Sequence, residues 1–264
     1  MPKVEVNGSR LFYKLSGAAT GPVLLFSNSL GTTVEMWEPQ LAAFESRYRI
    51  LRYDMRGHGQ SDLTPGPCSI AALGQDVVAL LDELRIPKVH FCGLSVGGVI
   101  GQWLGVNAAQ RLASLVLCNT AAKIGTPDGW NQRIADVTQD GMASITEAVL
   151  QRWFTLAFRD RSPEIIAAWR AMLLANDPRG YVLLCTAIRD MDQRELVRNI
   201  RLPTRIIAGN HDPATTVEDA EFLESRIPGA TLVRLPAAHI SNVEVTSLFN
   251  AAVTEFLQGV ADHG

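Results

Sequence analysis

An α/β fold with a mostly parallel sheet is predicted by three features of this 264-residue chain. Short, continuously apolar runs recur along it, as expected of strands buried on both faces. Between them lie stretches with apolar residues three and four apart, the spacing of an amphipathic helix. The two patterns alternate, which is how strands joined by crossover helices read in one dimension.

The chain opens on two short alternating segments, "VEVNG" and "LFYKLSG". Asn7-Gly8 between them is a hairpin-turn pair, so they form an antiparallel ribbon. "PVLLFSNS" is the first continuous apolar run, and "VEMWEPQLAAF" behind it is helical. "RILRYD", "KVHFCG", "LASLVLCN", "TRIIAGN" and "ATLVRLP" follow as strands, making eight. "SIAALGQDVVALLDELRI" is a helix with Ser69 as its N-cap. The alternation breaks from about Ala121 to Arg201. That stretch reads as five helices: "WNQRIADVTQDG", "SITEAVLQRWFTLAF", "PEIIAAWRAMLLAN", "GYVLLCTAIRDMD" and "QRELVRNI". It holds Trp130, Trp153 and Trp169, three of the five tryptophans. The predicted organisation is a core of residues 1–120 and 201–264 and a helical cap of residues 121–200. The cap follows the sixth strand and stands over the carboxyl ends of the strands, where open α/β sheets bind ligands.

Composition narrows the function. Hydrophobic residues are 47% and charged residues 19%, with a net charge of −3. No basic stripe suggests nucleic acid, and no polybasic amphipathic segment suggests a membrane surface. The N-terminus lacks the apolar core of a signal peptide, and no apolar run nears the roughly 20 residues of a spanning helix. Cys68, Cys92, Cys118 and Cys185 form no C-x-x-C, so free buried thiols in a reducing cytoplasm are expected. Neither H-E-x-x-H nor a cluster of ligands points to a metal. Self-association into a homo-oligomer is left open.

The chemistry starts at Gly93-Leu94-Ser95-Val96-Gly97, a G-x-S-x-G pattern between a strand and a helix. Chance alone gives roughly 0.1 such matches in a chain of this composition, so the strand–turn–helix context carries the assignment. Small flanking residues let the serine occupy a strained turn with its Oγ above the sheet. An N-cap serine in a plain loop is the competing reading. A serine hydroxyl also needs a base. Of the five histidines, His90 lies inside a strand and packs, and His58 in "DMRGHGQSD" suits a turn. His263 is in the terminal tail, and His211 neighbours a better-placed acid. His239 follows the last strand in "VRLPAAHISNVE" and is the expected base. Asp212, after "RIIAGN", is the acid that would orient it. Asp54 is the competing acid, but its place suits holding the "RGHGQSD" loop. The order Ser95, Asp212, His239 is that of α/β-hydrolases. Oxyanion donors are expected from the backbone N–H of Val96 and, in "FSNSLGTT", of Leu30.

On these residues the whole chain resembles the α/β-hydrolase superfamily, and more narrowly the 3-oxoadipate enol-lactonases of bacterial aromatic degradation. "SNSLGT", "GTPDGWNQRI" and "AHISNVE" carry the narrower likeness; G-x-S-x-G and "RGHGQS" are shared across the superfamily. Some relatives carry a fused C-terminal decarboxylase domain, for which the residues before Gly264 leave no room. The resemblance implies hydrolysis of a small anionic enol-lactone without a cofactor. The free carboxylate of that substrate calls for a cation. Arg133, Arg152, Arg159, Arg161 and Arg170 are the cap arginines to hand, and Arg133 is chosen because it lies in "GTPDGWNQRI". Trp130 and Trp153 are expected to wall the ring, with cap packing as the competing role. A general carboxylesterase, a C–C bond hydrolase or a cofactor-free perhydrolase would use the same triad. A non-catalytic receptor on the same scaffold is a more distant alternative.

Overall fold

The computed structural model describes residues 2–63 and 66–261. Eight strands form one sheet: β1 (Lys3–Val6), β2 (Ser9–Gly17), β3 (Val23–Ser27), β4 (Arg49–Tyr53), β5 (Val89–Leu94), β6 (Leu112–Cys118), β7 (Thr204–Gly209) and β8 (Thr231–Leu235). Their spatial order is β1-β2-β4-β3-β5-β6-β7-β8. β1 and β2 pair antiparallel, as does β2 with β4, and every later pairing is parallel. The opening hairpin turns through Asn7 (φ 46°) and Gly8 (φ 74°), the two left-handed residues that an Asn-Gly turn supplies.

Burial explains the difference between the runs. All five residues of β3 are buried, and so are nearly all of β5 and β6, the central strands. β8 is an edge strand, and of its five residues only Leu235 is buried. The flanking helices are α1 (Glu38–Phe44), α2 (Ile70–Glu83), α3 (Val96–Asn107), α9 (Val217–Arg226), α10 (Ser241–Glu244) and α11 (Thr246–Ala261). Ser69 caps α2, its side chain accepting from Ala72 N at 3.1 Å. α3 packs on β5 and β6, α2 packs on α3, and α1 packs on α11. None of the described helices is long and apolar enough to cross a membrane.

Five helices separate β6 from β7: α4 (Pro127–Asp140), α5 (Ala143–Trp153), α6 (Leu156–Arg161), α7 (Pro163–Leu174) and α8 (Pro178–Arg189). Three helices differ from the sequence reading. "SITEAVLQRWFTLAF" is two helices, because Phe154 is extended (φ −133°, ψ 141°) and Thr155 caps a new one, accepting from Phe158 N at 3.2 Å. "QRELVRNI" forms only a single 3-10 turn at Val197–Asn199. "VEMWEPQLAAF" likewise begins with a 3-10 turn, Val34–Trp37, before α1.

Candidate active site

A parallel sheet puts the carboxyl ends of its strands along one edge, and that edge carries the candidate nucleophile, acid, base and oxyanion donors. Leu30 follows β3, Ser95 follows β5, Asn119 follows β6, Asp212 follows β7 and His239 follows β8.

Ser95 sits at φ 59°, ψ −119°, a left-handed conformation rare for a residue with a Cβ. Close approach on both sides imposes it. A Cβ on Gly93 would lie 2.2 Å from the carbonyl oxygen of Gly97, and one on Gly97 would lie 2.2 Å from that of Ser27. Gly97 N donates to Asn28 O at 3.1 Å, which draws the start of α3 onto the end of β3. Thr120 Oγ1 donates to the Ser95 carbonyl at 2.7 Å. Gly97→Ala is therefore expected to cost about 3 kcal/mol, since backbone rather than a flexible side chain must move. Chemical denaturation measures this, and a stability equal to wild type would refute the packing argument.

Asp212 and His239 meet in a buried network. His239 Nδ1 lies 2.7 Å from Asp212 Oδ2. Asp212 Oδ1 accepts from the amides of Ala214 (2.8 Å) and Thr215 (3.1 Å). Its Oδ2 also accepts from Thr215 Oγ1 (2.7 Å) and Asn119 Nδ2 (3.0 Å). Burial pushes this carboxyl up, but the attraction and hydrogen bond of His239, with Asn119 and Thr215, prevail and hold it at about 2. Facing an ionised carboxylate, the neutral ring must donate from Nδ1, which leaves the lone pair on Nε2. Asn119 does a second job: Nδ2 donates to Ala238 O at 3.2 Å, and its Oδ1 accepts from Ser241 Oγ at 2.6 Å.

Ser95, 7% exposed, and His239, 4% exposed, both line a cavity of about 360 Å³. Leu30 lines it too, and among the described residues the amides of Leu30 and Val96 have no protein acceptor. Val96 opens α3, where the first turn has no intrahelical partner to offer its N–H. The opposite wall comes from α4, α5 and α8: Trp130, Arg133, Val149, Arg152, Trp153, Tyr181 and Ile188. The two tryptophans also pack structurally. Trp130 Nε1 donates to Ile124 O at 2.7 Å, and Trp153 meets Trp169 edge-on with ring centroids 5.5 Å apart. Arg133 lies over the Trp130 ring, 4.9 Å from its centroid. The ion pairs of this helical segment use Lys123, Arg170, Arg179, Arg189, Arg194 and Arg198. None found among the described residues involves Arg133 or Arg152. Burial lowers the Arg152 guanidinium, and the nearby charge of Arg133 lowers it further.

The remaining candidates fall elsewhere. His90 packs in β5, with Nδ1 2.8 Å from Ser114 Oγ. His211 is exposed, and His263 lies outside the described residues. Asp54 holds its loop as expected, accepting from Val34 N at 2.8 Å and Gln60 N at 2.9 Å. His58 departs from expectation. Neither ring nitrogen finds a partner at good hydrogen-bond geometry among the described residues; the ring is 1% exposed and stacks beside Tyr181, and burial lowers it to about 4 against a smaller raising effect of the Arg56 backbone. Arg159, Arg161 and Arg170 do not line the cavity. All four cysteines are free and buried. Sequence reasoning missed Asn119, Thr215 and Tyr181. Of these, only Asn119 left a signal, as the polar residue ending the buried run of β6.

The comparisons agree with this geometry. Over 243 residues the chain is 44% identical to the 3-oxoadipate enol-lactonase 2 of Acinetobacter baylyi, covering 92% of this chain and 91% of that one. It is 41% identical to the 3-oxoadipate enol-lactonase 1 of the same organism, covering 96% and 95%. The crystal structure of the enol-lactonase from Burkholderia xenovorans superposes with a TM-score of 0.96 at 41% identity, covering 97% of this chain and all of that one. Residues 22–244 match the alpha/beta hydrolase fold family. With an eight-stranded sheet, a serine elbow after β5 and an Asp–His pair after β7 and β8, the chain belongs to the alpha/beta hydrolase fold family.

Proposed function

We propose that this protein hydrolyses 3-oxoadipate enol-lactone to 3-oxoadipate, in the degradation of aromatic compounds, with Ser95 as nucleophile, His239 as base and Asp212 as its orienting acid. The observation that carries the substrate class is the pair of arginines, Arg133 and Arg152, in an otherwise largely apolar cavity that also holds Ser95 and His239. Two cations with no carboxylate partner among the described residues suit an anionic substrate. The support for the lactone itself is the likeness to the enol-lactonases.

Ser95 Oγ attacks the lactone carbonyl while His239 Nε2 takes its proton. The amides of Leu30 and Val96 receive the oxyanion. The ring C–O bond then breaks, and the ring oxygen leaves as an enol, a better leaving group than a simple alkoxide. His239 returns its proton and next activates water, which cleaves the acyl-enzyme and frees Ser95. The enol tautomerises to the ketone. Each step uses only this chain and water, so no cofactor is required. Helices α4–α8, within residues 121–200, act as the cap that screens the cavity. Trp130 and Trp153 wall the ring, and the free thiols suit a cytoplasmic enzyme.

Arg133→Ala and Arg152→Ala are each expected to lower kcat/KM for the anionic lactone about 10- to 100-fold, mainly through KM. That is what a hydrogen bond to a charged group is worth. A neutral aryl ester should be nearly indifferent. Equal losses on both substrates would sink the carboxylate assignment and favour a general carboxylesterase, and failure of wild type to consume the lactone would overturn the substrate.

A further inference from the structure

The "NVE" that ends the "AHISNVE" stretch has no part in the chemistry above, yet Glu244 is buried beside it. It is 6% exposed and accepts from three donors on two different elements. Its Oε2 accepts from Ala238 N at 3.0 Å, one residue before His239. The same oxygen accepts from Thr155 N at 3.3 Å, and Oε1 accepts from Thr155 Oγ1. Thr155 is the joint between α5 and α6, and its hydroxyl also caps α6. One residue past His239, Ile240 N donates to Trp153 O at 3.0 Å. The amides on both sides of the histidine are thus fastened to residues 153–155. On the other side, Asn119 Nδ2 holds the Ala238 carbonyl to the end of β6.

We infer that Glu244 is a positioning residue for the reaction: it couples the α5–α6 joint to the backbone of His239. The segment so coupled is the one that presents Arg152 and Trp153 to the cavity. A shift of the joint is therefore transmitted to the base. The geometry supports transmission better than simple packing, because the carboxylate, 89 positions from Thr155, ties that residue to the amide next to the histidine. A displacement of about 1 Å at a reacting group is enough to cost up to about a hundredfold in rate.

The inference rests on Ser95 and His239 working as proposed. Its test uses a neutral aryl acetate, which needs the triad but neither Arg133 nor Arg152. Glutamine at 244 puts an NH₂ group among three donors, so Glu244→Gln breaks the bridge from one end. Thr155→Val removes the hydroxyl bond at the other end and leaves only the Thr155 N–H, and Thr155→Ser preserves both. Glu244→Gln and Thr155→Val are each expected to lower kcat about tenfold with KM within about twofold of wild type. The double variant should fall no further than the worse single, because both remove one bridge. The downfield proton resonance of the His239–Asp212 hydrogen bond should shift or broaden in both, and Thr155→Ser should keep the wild-type kcat and resonance. Unchanged kcat and resonance in folded variants, with only a lower melting temperature, would overturn the inference, as would losses that multiply in the double. If Glu244→Gln does not fold, Thr155→Val against Thr155→Ser decides the matter. A wild type that cleaves the aryl ester but not the lactone would remove the substrate reading and leave this one standing.

Discussion

Ser95→Ala will fold and melt like the wild type while losing about 10⁶ in kcat, the scale seen when a serine nucleophile is removed from a triad. The two halves of that expectation have separate causes. What anchors residue 95 is its backbone. Its N–H donates to Cys118 O at 3.0 Å, and its carbonyl accepts from Val99 N at 3.0 Å and Thr120 Oγ1 at 2.7 Å. None of these bonds uses Oγ. Alanine retains the Cβ, so the strained φ of 59° is neither relieved nor worsened. Stability should stay within about 0.5 kcal/mol. The chemistry, in contrast, has no substitute attacker. The amides of Leu30 and Val96 and the cavity remain, so a residual rate above that in water is expected from those groups alone. Ultraviolet loss of the enol-lactone measures the first half and thermal melting the second. Undiminished turnover would overturn the mechanism, and a large fall in melting temperature would show that Oγ has a structural bond.

The proposed catalytic constellation was legible because three of its members obey a one-dimensional rule. Ser95 and Asp212 each follow a buried apolar run and His239 follows the edge strand β8, and parallel strands bring such positions to a common edge. A hydrophobic run, its end and the residue type after it are all local in sequence. Leu30 was reached the same way, from the end of β3. Asn119 ends β6 equally plainly, but nothing local says that its amide will face Asp212, 93 residues on. The same holds for Glu244, whose three donors lie at positions 238 and 155.

The helical segment between β6 and β7 was harder to read, for a different reason. Helical periodicity continues through "QRWFTLAF", so the apolar pattern alone runs α5 into α6. The break comes from Thr155 competing with the helix: its side chain caps Phe158 N, and Phe154 turns extended. His58 shows the opposite failure. A histidine in a Gly-rich loop suggests a polar role, but packing against Tyr181 of α8 decided its surroundings, and Tyr181 is 123 positions away.

Asp212→Asn is expected to lower kcat about 10⁴-fold by enforcing the wrong imidazole tautomer. The network leaves little choice. Ala214 N and Thr215 N both point at Oδ1, so an asparagine oxygen belongs there and its NH₂ takes the place of Oδ2. The reverse orientation would set an NH₂ against two backbone N–H groups. In the favoured orientation the new NH₂ donates to His239 Nδ1, so the ring proton moves to Nε2, the nitrogen that must accept from Ser95. The NH₂ also opposes Asn119 Nδ2, once 3.0 Å from an acceptor, and that unmet donor should cost about 1–3 kcal/mol of stability. A pH series separates this from loss of charge alone. The carboxyl of Asp212 is held at about 2 against an ordinary 3.8, so its charge stabilises the folded wild type above the ordinary value. That contribution is lost as pH falls from about 4 through about 2, because folded protein must then take up the proton the unfolded chain already holds. The asparagine variant should lack this acid-side loss while being less stable near neutrality. Activity within about tenfold of wild type would mean that the tautomer is fixed by something other than Asp212. Thr215 Oγ1, 3.4 Å from His239 Nδ1, is the group present to do so. Adding Thr215→Val to Asp212→Asn would then abolish the remaining rate.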